Sequence, residues 1–330
     1  MVILRFIIAI IFSVLFFNTS YAACTAAIDG ASSTQYNCDN SDLFTVTTTG
    51  TITVAGDNAL RAEDTDGVTV VNNGTIQNLN NGTGYQAAIN GSTTRNLTIT
   101  NNGTLQSTER YTIHLENAEQ VTITNNAGAT IGTVYTVPIG GSADTEQGAI
   151  YGNNIGNCDD GDCYNSSDSN GGAGLTLHNY GTISSRLRTI AGGLNSNDDK
   201  SRNIKIYNYD GGSITAETSA TLRFRFVEDF ALYNYSGATL ESGTEDASAA
   251  NFVVDVESGD GVVIDNDGTI KSGKMYAINC DECVNFTLDN SGVIEATGDT
   301  VFARNLTGTN SITNSGTIKN TSGGRALQIK

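Results

Sequence analysis

Three groups of side chains have types and spacings that could do chemistry. The first is aromatic. Tyr180, Tyr209 and Tyr235 each follow an Asn in three successive segments, Tyr207 and Tyr233 precede an Asn in two of them, and His178 takes the equivalent place beside Tyr180. A tyrosine ring buries apolar area at low entropic cost while its hydroxyl still hydrogen-bonds, so an outward row of them is a candidate ligand-binding strip for carbohydrate or protein. The bland alternative is a stack that only braces neighbouring strands. Arg223 and Arg225 alternate with Leu222, Phe224 and Phe226 and are expected to point outward near the same region.

The second group is acidic. Asp265 and Asp289 share the position before an Asn, and two carboxylates about 5 Å apart on neighbouring strands could share a proton or a cation. Asp159, Asp160 and Asp162, with Asp168 following, crowd a short segment that could offer oxygens to Ca²⁺, although their spacing matches no EF-hand or nonapeptide calcium repeat. Exposed acids on an acidic chain are usually just solvated. A histidine-based triad has little support, because the two histidines, His114 and His178, fall in different registers and distant segments. No catalytic residue is assigned and no cofactor is expected.

The third group is Cys24, Cys38, Cys158, Cys163, Cys280 and Cys283. Their grouping suggests three local disulfides, Cys24 with Cys38, Cys158 with Cys163 and Cys280 with Cys283. The last pair could instead be a metal knuckle or redox motif. It lacks a second pair or a nearby His, and no βαβ pattern surrounds it.

Composition bounds what can position these groups. With 37 Gly, 1 Pro, no Trp and 16% charged residues, and with Asn and Thr abundant, the chain is a poor helix former, which excludes a helical bundle. Set against 35 Asp and Glu, 17 Lys and Arg leave a net charge of −18, so nucleic acid is not an expected partner. A hydrophobic content of 38% suffices for a packed interior.

Internal repetition is the strongest signal. Val70-Val71-Asn72-Asn73-Gly74-Thr75-Ile76 recurs as Ile99-Thr100-Asn101-Asn102-Gly103-Thr104-Leu105 and onward, the shared Asn falling at Asn72, Asn101, Asn125, Asn179, Asn208, Asn234, Asn266, Asn290 and Asn314, with Thr48 standing in for it in an earlier copy. Most successive intervals are 24 residues or slightly more, and one of 54 spans an inserted stretch at about 135–172. A fixed period of this size means a solenoid. Two residues before each Asn stands an apolar side chain, and four before it another, as in Leu97 and Ile99 or Val121 and Ile123, except in the last copy, where Asn310 sits. Twelve before it, in the copies whose spacing allows the count, stands Leu60, Ile89, Ile113, Leu222, Val254, Ile278 or Phe302. Period two means strand. Three short strands per unit predict an all-β chain, a right-handed parallel β-helix of about ten 24-residue coils. Coils stacked about 4.8 Å apart let the Asn side chains hydrogen-bond as a ladder, and the Gly that follows is expected to turn the corner at positive φ. Where two extra residues follow Asn125, Asn208 and Asn234, a widened turn is expected, with the ladder intact.

Residues 1–22 carry Arg5, an apolar run from Ile7 to Phe17 and a Ser20-Tyr21-Ala22 end, which reads as a secretory signal peptide too short to span a bilayer. Residues 23–42 lack the repeat and are expected to cap a β-helix of residues 43–330. Arg325 to Lys330 resembles the start of an eleventh coil.

The repeated Val-Thr-Ile-x-Asn-x-Gly-Thr-Ile strings, seen in Val121-Thr122-Ile123-Thr124-Asn125 and from Leu175 to Ile183, resemble the passenger domains of bacterial autotransporters and related surface β-helix adhesins. The resemblance covers the chain from about Leu43 onward, without a C-terminal β-barrel. It implies an adhesive or structural rod, extracellular or on the bacterial cell surface at the outer membrane. Its partner would be a host-cell, sibling-cell or carbohydrate surface, and it would meet the membrane only through a missing or separate barrel. An uncovered last coil would invite end-to-end self-association. The alternative is a polysaccharide-active β-helix enzyme, a lyase or glycoside hydrolase.

Overall fold

The computed structural model describes residues 22–79, 86–108, 110–134, 148–156, 173–193, 200–243 and 252–330 of the chain. Each coil lays down three short strands, for example Thr69–Asn72, Thr75–Asn78 and Ala87–Asn90. Each strand pairs in parallel with its equivalents in the coils before and after. The result is three sheets of ten, eleven and twelve strands, called here the first, second and third in the order the chain visits them. The chain is an all-β parallel β-helix, and no helix occurs among the described residues.

The strands form because every second side chain has somewhere apolar to go. In Thr98–Asn101 the two threonines are partly exposed, whereas Ile99 and Asn101 are buried. Three largely aliphatic columns, one per sheet, run through the interior. One runs from Phe44 through Val70, Ile99 and Ile123 to Ile312. The second runs from Ile52 through Ile76, Leu105 and Ile131 to Ile318, and the third from Leu60 through Ile89, Ile113 and Ile150 towards Val301. Each fully buried Ile or Leu contributes about 1.5–3 kcal/mol of transfer free energy, so the columns dominate stability.

The asparagine ladder is continuous. From Asn72 to Asn314, the Nδ2 of each Asn donates to the Oδ1 of the next at 2.7–2.9 Å, including the widened turns after Asn125, Asn208 and Asn234. Glycine has two distinct roles beside it. In the widened turns Gly128, Gly211 and Gly237 take positive φ. In the tight turns the requirement is close approach instead: a Cβ on Gly103 would lie 2.1 Å from the Gly74 carbonyl oxygen of the preceding coil.

Two positions depart from the expected register. Val46, not Thr48, aligns with Asn72, so the ladder starts at Asn72 and the first turn holds residues 47–50 where the next coil holds 73–74. Val301, not Phe302, continues the third column beside Ile278, because residues 297–300 precede it where 273–277 precede Ile278. Phe302 points outward, its ring 5.0 Å from that of Tyr276.

Residues 23–42 contribute strands of their own. Ala22–Ala23 and Tyr36–Asn37 extend the third sheet, Ala31–Ser32 extends the second, and a Cys24–Cys38 disulfide joins Cα atoms 4.8 Å apart. The stretch 135–172 is interrupted by the strand Gly148–Gly152, which holds Ile150 in the third column between Ile113 and Ile190. Leu327–Ile329 pairs with Val301–Arg304, continuing the third sheet.

Candidate functional site

The aromatic residues come together as two columns at the edge where the first sheet turns into the second. His178, Tyr207 and Tyr233 align one position before the ladder Asn, pointing away from the interior, and Tyr180, Tyr209 and Tyr235 follow it. Ring centroids are 4.3 Å apart for Tyr180 and Tyr209, 5.0 Å for Tyr209 and Tyr235, 4.9 Å for Tyr207 and Tyr233, and 5.1 Å for His178 and Tyr207, with interplanar angles of 5–12°. The rings therefore spend most of their faces on one another. The row presents ring edges and hydroxyls, with Tyr180 and Tyr235 exposed at its two ends.

Two polar features run through this stack. The Tyr209 hydroxyl lies 3.1 Å from His178 Nδ1. Burial holds the His178 imidazole below its ordinary pKa, so it is neutral at pH 7. Burial, then the neighbouring phenol of Tyr180, pushes the Tyr209 phenol up to about 12, and burial also raises Tyr235.

Both columns continue into acids. Asp265 and then Asp289 follow Tyr233 in register, and burial, then Asp267 and Asp289, raise the Asp265 carboxyl. Asp267 accepts a hydrogen bond from Ser291. On the other side of the tyrosines an outer amide row forms, with Asn102 Nδ2 donating to Asn73 Oδ1 at 2.8 Å and Asn126 donating to Asn102. The edge thus reads amide, aromatic hydroxyl, carboxylate along the rod.

The remaining expected groups divide as follows. Cys280 and Cys283 form a disulfide with Cα atoms 5.8 Å apart. Cys158, Cys163, Asp159, Asp160, Asp162 and Asp168 lie outside the described residues. Cys24, Cys38 and Asp42 place potential ligand atoms within 4.8 Å of one another, but the two sulfurs are consumed in their disulfide. Arg223 and Arg225 do leave the interior, but from a strand of the third sheet, so they do not join the tyrosines of the first.

That third sheet carries a second polar assembly which sequence reasoning missed. Arg223 Nε lies 3.3 Å from Asp255 Oδ2, and Arg225 Nε 2.7 Å from Glu257 Oε2 on the next strand. Asp255 is fully buried, its Oδ1 accepts from Asn279 Nδ2 at 2.7 Å, and burial pushes its carboxyl up to about 6. Nearer the N-terminus His114 is 2% exposed, its Nδ1 lies 3.0 Å from Ser92 Oγ, and burial pushes it down to about 4. Tyr111 and Tyr151 stack at 4.5 Å and form, with Ala87 and Ala191, a small buried apolar cluster separate from the main core. One signal could have found this face: the longest departures from the 24-residue unit, 135–147 and 157–172, enter and leave a third-sheet strand.

No protein-family model, curated protein or solved structure matches the chain.

Proposed function

We propose that the chain is an exported, non-enzymatic β-helical rod of the autotransporter-passenger kind that works by adhesion at the bacterial cell surface. A host-cell, sibling-cell or carbohydrate surface would be its partner. One observation carries this reading: chemically alike outward groups are brought into register coil after coil, above all Tyr180, Tyr209 and Tyr235 running on into Asp267. A row repeating about every 4.8 Å offers many weak contacts at once, and multivalent engagement of an extended surface turns such contacts into useful avidity.

The geometry of the tyrosines narrows the mode of contact. Because ring faces are already stacked, a sugar would meet hydroxyls and edges along the row and find a free ring face only at its ends. Surface plasmon resonance of the purified chain over neutral and acidic polysaccharides and over whole cells tests the reading. Replacing Tyr180 and Tyr235 together by Ala should weaken retention about tenfold or more. Release of reducing ends or unsaturated products from those polysaccharides, abolished by Asp265→Asn or Asp289→Asn, would replace the rod with the enzyme reading.

A further inference from the structure

On the outer face of the third sheet, Arg188 has no counter-ion among the described residues. Arg223 is held by Asp255 at 3.3 Å and by Glu257 at 3.6 Å, and Arg225 by Glu257 at 2.7 Å. Among the described residues no carboxylate lies within ion-pairing distance of Arg188. Three guanidinium groups thus share two carboxylates on a chain whose net charge is −18.

The register explains why the imbalance sits here. Arg188 aligns with Gly148 and, one coil further, with Tyr111, so its own column has no side chain between the guanidinium stem and the tyrosine. In the next column Ala191 separates Tyr151 from Arg223. Gly193 then precedes Arg225 in the third, where a Cβ would lie 2.0 Å from the Arg225 carbonyl oxygen. The coil of Arg188 is therefore the low step between an aromatic coil and an arginine coil.

The electrostatic consequence is measurable in kind. Burial, then repulsion from Arg223 and Arg225, pulls the Arg188 pKa down to about 10. An uncompensated cation beside like charges and a buried apolar cluster is costly, and a bound anion removes that cost. The planar guanidinium fork matches a carboxylate bidentately, in the way an ammonium group cannot.

We propose that Arg188, with Arg223 and Arg225 on the next coil, is the receptor for an oxyanion, a carboxylate of the kind carried by an acidic saccharide. This site lies on a different sheet from the tyrosine row and goes beyond the adhesive reading, which stands or falls on Tyr180 and Tyr235.

Isothermal titration of the full chain with a galacturonate trimer, a neutral galactose trimer and inorganic sulfate tests the assignment. The galacturonate trimer should bind, the neutral trimer should not, and sulfate should compete weakly. Arg188→Ala should weaken galacturonate binding about tenfold or more, Arg188→Lys should recover part of it, and Lys319→Ala, which alters a cation already paired with Glu295 at 2.7 Å, should leave it unchanged. Should Arg188→Ala not fold, phenylglyoxal footprinting of the unaltered chain replaces it, with galacturonate slowing modification of Arg188 several-fold. Equal binding by Arg188→Ala, absence of protection, or sulfate binding without galacturonate binding overturns the proposal.

Discussion

Asn125 and Asn179 stand 54 residues apart in the chain, yet the Nδ2 of the first donates to the Oδ1 of the second at 2.9 Å. The strand Gly148–Gly152 falls between them in the chain, and the ladder runs on unbroken. The ladder is thus a register device as well as a source of stability: a coil displaced by one residue would bury an amide with no partner.

That cost can be measured at Asn179. Removing its amide leaves Asn125 Nδ2 with only the Thr182 carbonyl as acceptor and takes the Nδ2 donor away from Asn208 Oδ1, at positions that are 0% exposed. Buried unsatisfied groups cost about 1–3 kcal/mol each, so Asn179→Ala should lose about 3 kcal/mol in urea denaturation. Asn314→Ala, at the exposed end of the ladder, should lose less than about 1 kcal/mol. Equal losses would show that the ladder energy does not depend on burial.

The two glycine roles predict different penalties. Gly103→Ala would press a methyl into the Gly74 carbonyl and should force the coils apart, costing about 3 kcal/mol. Gly128 has open space around its Cβ position and only a φ of +78°, so Gly128→Ala should cost about 1 kcal/mol and Gly128→Asn less. Thermal melts of the three variants check the order.

These contrasts also mark what the amino-acid sequence discloses. The inward columns and the ladder Asn are readable because a buried position in a solenoid demands the same residue type in each coil. Register fails to be readable where turn length changes silently: Gly50 and Gly74 look equivalent, but the longer turn before Gly50 moves Val46 into the ladder column. The tyrosine columns were readable for the same periodic reason. Their face-to-face stacking was not, since it depends on rotamers that no spacing encodes. On the third sheet the alternation of Leu222–Arg225 was readable but its acidic partners on the next strand were not. Tyr111–His114 gives no alternating signature because all four of its residues are buried, so the outward ones resemble core.

The tyrosine stack has its own titration signature. Proximity of Tyr180 is the largest contributor after burial to the raised Tyr209 pKa of about 12. Tyr180→Phe should keep the ring stack and bring the Tyr209 pKa part of the way back towards 10. Carbon-13 NMR of ring-labelled tyrosine across alkaline pH reads this directly. An unchanged Tyr209 midpoint would mean that burial alone sets it.

Two buried groups on the third sheet should drive stability in opposite directions with pH. The folded Asp255 carboxyl sits at about 6 against 3.8 for the free group, so the folded chain holds the proton more tightly, and this contribution is lost as pH rises from about 4 to 6. His114 is depressed to about 4 from 6.5, so its folded form prefers to be neutral, and stability is lost as pH falls from about 6.5 to 4. Each shift corresponds to at most about 3 kcal/mol, and in the unaltered chain the two oppose each other across nearly the same window. Separating them needs single variants. Asp255→Asn, which keeps an oxygen for Asn279 Nδ2 and leaves Arg223 with Glu257, should destabilise progressively on acidification below pH 6.5, exposing the His114 term. His114→Gln should do the reverse, gaining stability relative to the unaltered chain as pH falls from 6.5 to 4. Guanidinium denaturation at pH 4, 5, 6 and 7 gives both slopes. Identical slopes in the two variants would show that neither group is buried in the charge state its surroundings imply.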